Sequence, residues 1–309
     1  MNPGRRLTTR RLLLAAALLL LWGAGAVVFA VFWRLPDVSF LKNPRTSFSI
    51  VVRDWQGKEH PFVVGPKNRD WTPHESIPAT LKWAVIVAED AGFYGHQGID
   101  MEAMREALRH DLEQKRLARG ASTITQQLAK NLFLSREKTV LRKLREIVLA
   151  RRMEELLSKA RILELYLNVV ELGPRVHGVG AGARYHFGKN PAELTAAEGA
   201  TLAAILPGPR LAYNPRLKPE KVRRRAARIV ALLEQRRALS PAAAAEALRQ
   251  LHGATEPAPA SEEELATPER DEEVPAAEET APLSTPATVE PSTPAPEPAA
   301  DTPGNMIKD

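Results

Sequence analysis

A long apolar run opens the chain. The 22 residues 12–33 carry no charge, and residues 1–11 before them hold four arginines. At a rise of about 1.5 Å per residue, a helix of this length crosses the ~30 Å hydrocarbon core of a membrane. The pattern therefore predicts a single-pass anchor with a cytoplasmic N-terminus. The small residues Ala24-Gly25-Ala26 leave a cleavable signal peptide as an alternative, although residues 27–33 continue the apolar run beyond them.

The next two apolar patterns predict a hairpin and a helix. Phe48–Arg53 and residues 60–64 are partly alternating and β-branched, with Gln56-Gly57 between them. That arrangement favours a small β-hairpin. Pro78 is suited to a first helical turn, and the apolar positions after it predict a helix that ends near Glu89.

The rest of the apolar periodicity is helical. Residues 101–119 form a charged amphipathic segment with Met101, Met104 and Leu108 on one stripe. Residues 139–167 follow a 3.6-residue period and predict one helix, or two helices joined near Ser158. Residues 173–182 are interpreted as a glycine-rich loop, and residues 219–250 as helical, with Ser240-Pro241 starting a last helix.

Two capping boxes predict where further helices begin. Thr123 with Gln126 fits the start of a helix that runs to about Leu134, and Thr195 with Glu198 fits the start of another. In each pair the hydroxyl and the longer side chain can satisfy each other's backbone N–H groups. The amides that follow Thr123 are therefore expected on the first turn of a helix.

Charge divides the chain into a basic body and an acidic tail. Residues 253–309 hold 14 acids, two bases and eleven prolines, a net charge of −12, and the residues before them carry +18. So few large apolar side chains cannot offset the entropy of ordering, which predicts a disordered tail. The predicted domain covers residues 45–252, and its charge calls for an anionic partner such as membrane headgroups, a pyrophosphate or nucleic acid. The absence of cysteine excludes disulfides and thiolate metal sites.

Polar side chains that could carry chemistry concentrate in residues 84–131. Glu89 and Asp90 end an apolar run, and Phe93, His96 and Gly98 follow at fixed intervals. About thirty residues later comes a group of hydroxyls and amides with one lysine, namely Ser122, Thr123, Thr125, Gln126, Gln127, Lys130 and Asn131. Such a cluster competes with the helix backbone for hydrogen bonds, so it is costly unless it holds a polar ligand such as a sugar or phosphate.

These residues resemble the motifs of the peptidoglycan glycosyltransferases of family 51, which polymerise lipid II into glycan strands. The pattern E-D-x-x-F-x-x-H-x-G matches at Glu89 to Gly98. Three further motifs follow in the family's order, and their matching residues are Gly120, Ser122, Gln126, Gln127, Lys130 and Asn131, then Arg142, Lys143 and Glu146, then Lys159, Ile162, Leu163, Glu164, Tyr166, Leu167 and Asn168.

The resemblance implies a mainly α, lysozyme-like glycosyltransferase domain with a small β-hairpin, one transmembrane helix before it and a disordered tail after it. It implies an inverting enzyme of cell-wall biosynthesis at the bacterial inner membrane, with its catalytic domain outside the cytoplasm. The expected partners are lipid II, the growing lipid-linked glycan, the membrane and other cell-wall synthesis proteins, and nucleic acid is not expected. In this family residues 101–119 correspond to a mobile jaw that touches the membrane; from sequence alone an ordinary solvated helix is an equal alternative.

Two carboxylates are the candidate catalytic groups. Glu89 is the candidate base for the acceptor hydroxyl, and its position at the end of an apolar helix should raise its pKa. Glu146, by resemblance, is a second carboxylate beside the leaving group. The predicted substrate-binding residues include five cations that suit a pyrophosphate, Lys130, Lys138, Arg142, Lys143 and Arg145. The others are Ser122, Thr123, Gln126, Gln127 and Asn131. The alternative for Arg142, Lys143 and Glu146 is a solvent-exposed ion pair on one helix face, which needs no function.

The remaining motif residues are expected to support the structure. Asp90 either caps the following turn or binds a divalent cation, Mg²⁺ or Mn²⁺, and the motifs require no cofactor. His96 is expected to brace Glu89 indirectly. In the fourth motif Ile162, Leu163, Tyr166 and Leu167 have helical spacing and are predicted to be core, while Lys159, Glu164 and Asn168 brace the site. A lysozyme-like glycan-cleaving enzyme and a membrane-tethered scaffold are the alternative functions. Neutral glycan would not need the basic body, and a scaffold would not need Glu89 among its hydroxyls and amides.

Overall fold

The computed structural model describes residues 3–54, 56–114, 122–135 and 137–253. The chain begins with helix α1, Pro3–Phe32. Its segment Leu13–Phe32 is long and apolar enough to cross a membrane, and it is the one such helix among the residues described. Gly120 and residues 254–309 of the predicted tail lie outside these residues.

The domain that follows is mostly helical, as predicted. Its helices are α2 Ala79–Glu89, α3 Met101–Gln114, α4 Ile124–Phe133, α5 Val140–Leu156, α6 Lys159–Val169, α7 Val179–Phe187, α8 Ala196–Ile205, α9 Pro219–Gln235 and α10 Pro241–Gly253. Strands β1 Phe48–Arg53 and β2 Glu59–Val64 form the predicted antiparallel hairpin, with Phe48 opposite Val64 and Arg53 opposite Glu59. A second, shorter hairpin joins β3 Glu171–Gly173 to β4 Val176–His177.

Local capping residues set the helix boundaries. The predicted boxes are present at Thr123, which starts α4, and at Thr195, which starts α8. The hydroxyl of Ser158 accepts a hydrogen bond from the backbone N–H of Arg161 and starts α6. Residues 139–167 therefore form two helices joined near Ser158, and Thr139 caps the first of them.

The core forms where α2 and α8 pack together. Most residues of helix α8 are buried, and they are mainly alanine and other small or aliphatic residues. Helix α9 packs against both α2 and α8. The Cβ that alanine would add at Gly199 lies 3.5 Å from the Cα of Leu81, so the backbones of α8 and α2 approach closely. Helices α4, α5 and α6 form the other half of the core. The carboxyl end of α2 is thereby held against the amino end of α4.

The prediction of a loop at residues 173–182 is wrong. These residues hold the end of β3, all of β4 and the first turn of α7. The glycines are required by close packing: a Cβ at Gly178 would lie 2.6 Å from the carbonyl oxygen of Asn168, and one at Gly180 would overlap the carbonyl oxygen of Asp70. Glycine here permits tertiary contact between ordered elements.

Candidate active site

Glu89 lies at the end of α2 with its carboxylate held from two sides. Its Oε2 accepts a hydrogen bond of 3.0 Å from Nε2 of Gln127, on the first turns of α4. Its Oε1 lies 3.4 Å from Nη2 of Arg225 on α9. The side chain is 13% exposed, so the carboxylate is largely enclosed but reaches the surface.

A buried tyrosine orients the amide of Gln127. The hydroxyl of Tyr166 on α6 donates a 2.9 Å hydrogen bond to Oε1 of Gln127, which turns the amide nitrogen towards Glu89. Burial raises the pKa of the Tyr166 hydroxyl well above its ordinary value, and the negative charges of Glu89 and Asp90 raise it further. The hydroxyl therefore stays protonated and remains a donor. The predicted core position of Tyr166 is confirmed, and its hydroxyl also belongs to the site.

Asp90 caps a helix that is distant in sequence. Its Oδ2 accepts a 2.9 Å hydrogen bond from the backbone N–H of Ile124 at the start of α4, and its carboxylate bonds Nε2 of His96 at 2.9 Å. The prediction that it caps the following turn is incomplete, because its side chain links two motifs 34 residues apart. His96 therefore braces Asp90 directly.

Thr123 and Lys159 fix the turn that carries His96 and Gly98. The hydroxyl of Thr123 donates to the carbonyl oxygen of Gly98 at 2.8 Å. Nζ of Lys159 donates to the carbonyl oxygen of His96 at 2.7 Å and to Oε1 of Glu154 at 2.8 Å. Nζ also lies 4.4 Å from the centre of the Phe93 ring, a cation–π contact with a buried residue.

Thr123 and Gln126 do not reach an open surface. Both are buried, and their side chains satisfy each other's backbone N–H groups in the capping box. Their polar groups are used to start α4, and their binding of substrate stays a prediction. Ser122, Gln127 and Asn131 are partly exposed and Lys130 is exposed, so these predicted binding residues remain accessible.

Glu146 is buried between two cations of its own helix. Its carboxylate is 3% exposed and contacts Nη1 of Arg142 at 2.6 Å and Nζ of Lys143 at 2.5 Å. Nζ of Lys143 also donates to Oγ of Ser122 at 2.9 Å. The alternative of a solvent-exposed ion pair is wrong. The three charged groups form a cluster with a net charge of +1 beside the hydroxyl of Ser122.

Arg145 contacts the anchor. Its Nη2 donates to the carbonyl oxygens of Ala30 at 2.7 Å and Trp33 at 3.1 Å, at the end of α1. A guanidinium there complements the negative end of the helix dipole. Its Nη2 is therefore engaged with the anchor, and its contact with substrate stays a prediction. Lys138 is exposed in the segment before α5.

The other bracing predictions concern α6. Arg161 contacts Glu164 at 2.7 Å, and the amide of Asn168 bonds both the backbone N–H and the carbonyl oxygen of Thr72 at 2.8 Å. The contacts of Asn168 tie α6 to the chain that leads into α2, whereas Arg161 and Glu164 pair within α6 itself. They are structural, as expected for Glu164 and Asn168.

Sequence reasoning missed Glu154 and Arg225. Oε1 of Glu154 accepts hydrogen bonds from Lys159 and from the hydroxyl of Thr125, the latter at 2.6 Å. Arg225 reaches Glu89 across 136 residues. Neither belongs to a motif that was considered. Only a burial pattern could have indicated them, since an acid or arginine on the inner face of an amphipathic helix needs a partner.

Asp90, His96 and Asp100 could together hold a metal ion, because one ligand atom from each lies within 4.8 Å of the others. The same carboxylates have structural work: Asp90 accepts from Ile124, and Oδ1 of Asp100 accepts from the backbone N–H groups of Glu102 and Ala103. Capping accounts for both acids.

A mainly α domain that holds a partly enclosed carboxylate near amides, with a buried acid between two cations, has the groups that glycosyl transfer requires. The sequence model described as Transglycosylase matches residues 58–234, more than half of the chain. The chain belongs to this family.

Curated relatives agree with this assignment. The chain is 49% identical over 160 residues to a biosynthetic peptidoglycan transglycosylase of Nitrosomonas eutropha, covering 52% of this chain and 65% of the relative. It is 41% identical over 197 residues to a protein of the same name from Nitrosospira multiformis, covering 63% and 85%. Similarity to penicillin-binding protein 1A of Neisseria gonorrhoeae, 38% over 208 residues, covers 66% of this chain and 26% of that protein.

Proposed function

We propose that this protein is a peptidoglycan glycosyltransferase that polymerises lipid II into β-1,4 glycan strands, with inversion and release of polyprenyl pyrophosphate. Membership of the transglycosylase family and the names of the relatives support a glycosyltransferase that polymerises glycan. The observation that carries the mechanism is the carboxylate of Glu89: it is largely enclosed, it still reaches the surface, and Gln127 orients it.

Glu89 acts as the general base. A sugar hydroxyl is a poor nucleophile near neutral pH, so a carboxylate that accepts its proton during attack contributes on the order of 100- to 10,000-fold. Gln127 donates to Oε2 of Glu89, and Arg225 lies 3.4 Å from Oε1. The carboxylate has two oxygens with several lone pairs, which leaves positions for the acceptor hydroxyl.

Glu146 and its two cations act at the leaving group. Lys143 and Arg142 neutralise the buried acid and leave an excess of one positive charge. A pyrophosphate that arrives here would gain donors from Arg142, Lys143 and Ser122, with Lys130, Asn131 and Lys138 as further predicted contacts. Glu146 holds the cations in place, so its role is auxiliary.

Helix α1 anchors the enzyme in the bacterial inner membrane with its N-terminus in the cytoplasm and the domain outside. The span Leu13–Phe32 and the arginines before it support this orientation. Reporter fusions after Arg53 should report the exterior. A mature soluble product that begins near Val27 would contradict retention of the anchor.

Residues 253–309 are dispensable for chemistry, and their deletion should leave turnover within a few fold.

The test of function compares three variants in detergent, each given lipid II and, separately, finished glycan. Glu89→Gln keeps the shape of the side chain but cannot accept the proton, so it should lose polymerisation by at least about 100-fold while still binding lipid II. Glu146→Gln should have a smaller defect that varies more with divalent cation concentration. Glu155→Gln is the matched control, because Glu155 is exposed on the same helix as Glu146.

Two results would contradict the proposal. Polymerisation by Glu89→Gln at close to the wild-type rate would exclude Glu89 as the base. Cleavage of finished glycan by the wild-type protein without polymer formation would favour the lysozyme-like alternative.

A further inference from the structure

Arg225 is a buried arginine that no predicted motif contains, and it points at the candidate base. Its residue exposure is 9%, and its Nη2 lies 3.4 Å from Oε1 of Glu89. That distance is a charge contact somewhat longer than an ideal hydrogen bond. Both side chains are at least 87% enclosed, so solvent screens their attraction less than it would at the surface.

The position of Arg225 is set by the core. Its helix, α9, packs on α2 and α8 through buried residues that include Val222, Ala226 and Ile229. The ring of Tyr213, which is itself buried, lies 5.4 Å from Cζ of Arg225 and forms a cation–π contact. Nζ of Lys221 lies 4.3 Å from the centre of the same ring. The guanidinium is therefore held in one place.

Two further cations lie near this end of α2: Nη1 of Arg236, the residue after α9, donates to the carbonyl oxygen of Ala91 at 2.9 Å, and Lys130 follows Gln127 by one turn on α4. The other groups named here are neutral or negative. Helix α4 presents the neutral amide of Gln127, and α6 presents the protonated hydroxyl of Tyr166. Asp90, the next residue, is an acid bonded to Ile124 and His96. Helix α8, which packs along α2, contributes buried apolar residues. Burial and a neighbouring acid both favour the neutral form of a carboxyl, and a cation at this distance opposes them.

We propose that Arg225 is the positioning residue for Glu89: its guanidinium fixes the direction of the carboxylate and keeps it in the ionised form that a general base requires. This inference rests on the proposed function. Arg225 acts through Glu89 and is not itself assigned a contact with substrate. The prediction from sequence considered burial and the helix end around Glu89 and did not include this cation.

The test is the pH dependence of kcat/KM for lipid II polymerisation, measured with the full chain in detergent. On the acid limb of this pH profile, activity falls as Glu89 becomes protonated. Arg225→Gln removes the charge that favours the ionised form, so this limb should move to a pH higher by about 1 unit or more. At pH values on the limb the variant should lose about tenfold per unit of displacement, and the loss should narrow as the pH rises. Arg225→Lys keeps the charge and should keep the limb close to its wild-type position at a reduced rate. Arg224→Gln, the same change at an exposed position of α9, should leave the limb unmoved.

Each result decides the question. An Arg225→Gln variant that loses the same factor at every pH, with its limb unmoved, overturns the proposal and leaves Arg225 a purely structural residue. If Arg225→Gln does not fold, Arg225→Lys decides: a limb at the wild-type position supports the proposal, and a displaced limb overturns it. The Glu89→Gln variant separates the two failures. If it is inactive while the Arg225→Gln limb is unmoved, this inference fails and the proposed function stands.

Discussion

Replacing Glu154 with alanine should destabilise the domain strongly, although Glu154 belongs to no predicted site. Its carboxylate is 4% exposed and accepts hydrogen bonds from Nζ of Lys159 and the hydroxyl of Thr125. Alanine would leave the ammonium of Lys159 without its counter-charge and the buried hydroxyl of Thr125 without an acceptor. These two residues belong to different helices, α6 and α4, so the loss affects the contact between them.

The expected loss follows from the burial of the pair. Removing one partner of a buried ion pair costs about 3–5 kcal/mol, because the other charge stays desolvated. The side chain of Lys159 is 21% exposed and keeps its hydrogen bond to the carbonyl oxygen of His96, which places the estimate at the low end, about 3 kcal/mol. With a urea m-value of about 2 kcal/mol/M, the unfolding midpoint should fall by about 1.5 M.

The assay is urea unfolding in detergent, followed by helical circular dichroism. Glu155→Ala is the matched control, because Glu155 is the exposed neighbour of Glu154 on α5 and should change stability by less than about 0.5 kcal/mol. The double variant with Lys159→Ala should lose less than the sum of the two single variants. Midpoints for Glu154→Ala and Glu155→Ala that agree within error would show that the buried pair contributes nothing to stability.

Two further predictions concern packing and pH. Gly180→Ala should destabilise the domain by about 3 kcal/mol or more, because its Cβ would overlap the carbonyl oxygen of Asp70. Gly199→Ala has its nearest neighbour at 3.5 Å, so it should be neutral or stabilise the domain by up to about 1 kcal/mol. Equal melting temperatures for the two variants would contradict the packing argument. A hydrogen bond from His60 lowers the pKa of Asp54 below its ordinary value, so the stability that this pair gives is present at neutral pH and is lost as the pH falls through the lowered value. Asp54→Asn should therefore flatten the acid side of the stability profile, and an unchanged profile would refute the coupling.

The elements that could be predicted from sequence are those that local residues determine. Thr123 and Ser158 start helices through hydrogen bonds to backbone groups three residues ahead, so the sequence alone contains the signal. The loop prediction for residues 173–182 was wrong because the same glycines that permit a flexible loop also permit close contact with a distant backbone. Composition does not distinguish these two uses of glycine.

For the candidate site, as for the fold, sequence predicted the local features and missed the long-range contacts. The positions of Glu89 and Gln127 could be identified from their motifs, and the structure brings the two side chains within 3.0 Å. The capping role of Gln126 is confirmed, but its predicted binding of substrate stays a prediction, because a polar side chain that caps a helix and one that binds a ligand have the same sequence pattern. Arg225 was missed because its partner lies 136 residues away.

The carboxylates of Glu89 and Glu146 differ in which helices supply their neighbours. This difference determines how each should respond to a shift in helix packing. Both cations on Glu146 come from positions three and four residues earlier on the same helix, so its environment forms whenever α5 forms. Glu89 depends on Gln127 from α4, which Tyr166 on α6 orients, and on Arg225 from α9. Four helices must therefore pack correctly before the carboxylate of Glu89 has its direction and charge. A general base must lie within hydrogen-bond reach of the proton it removes. If Glu89 is the base, as proposed, small shifts among these helices should therefore reduce turnover before they weaken the proposed binding of pyrophosphate near Glu146.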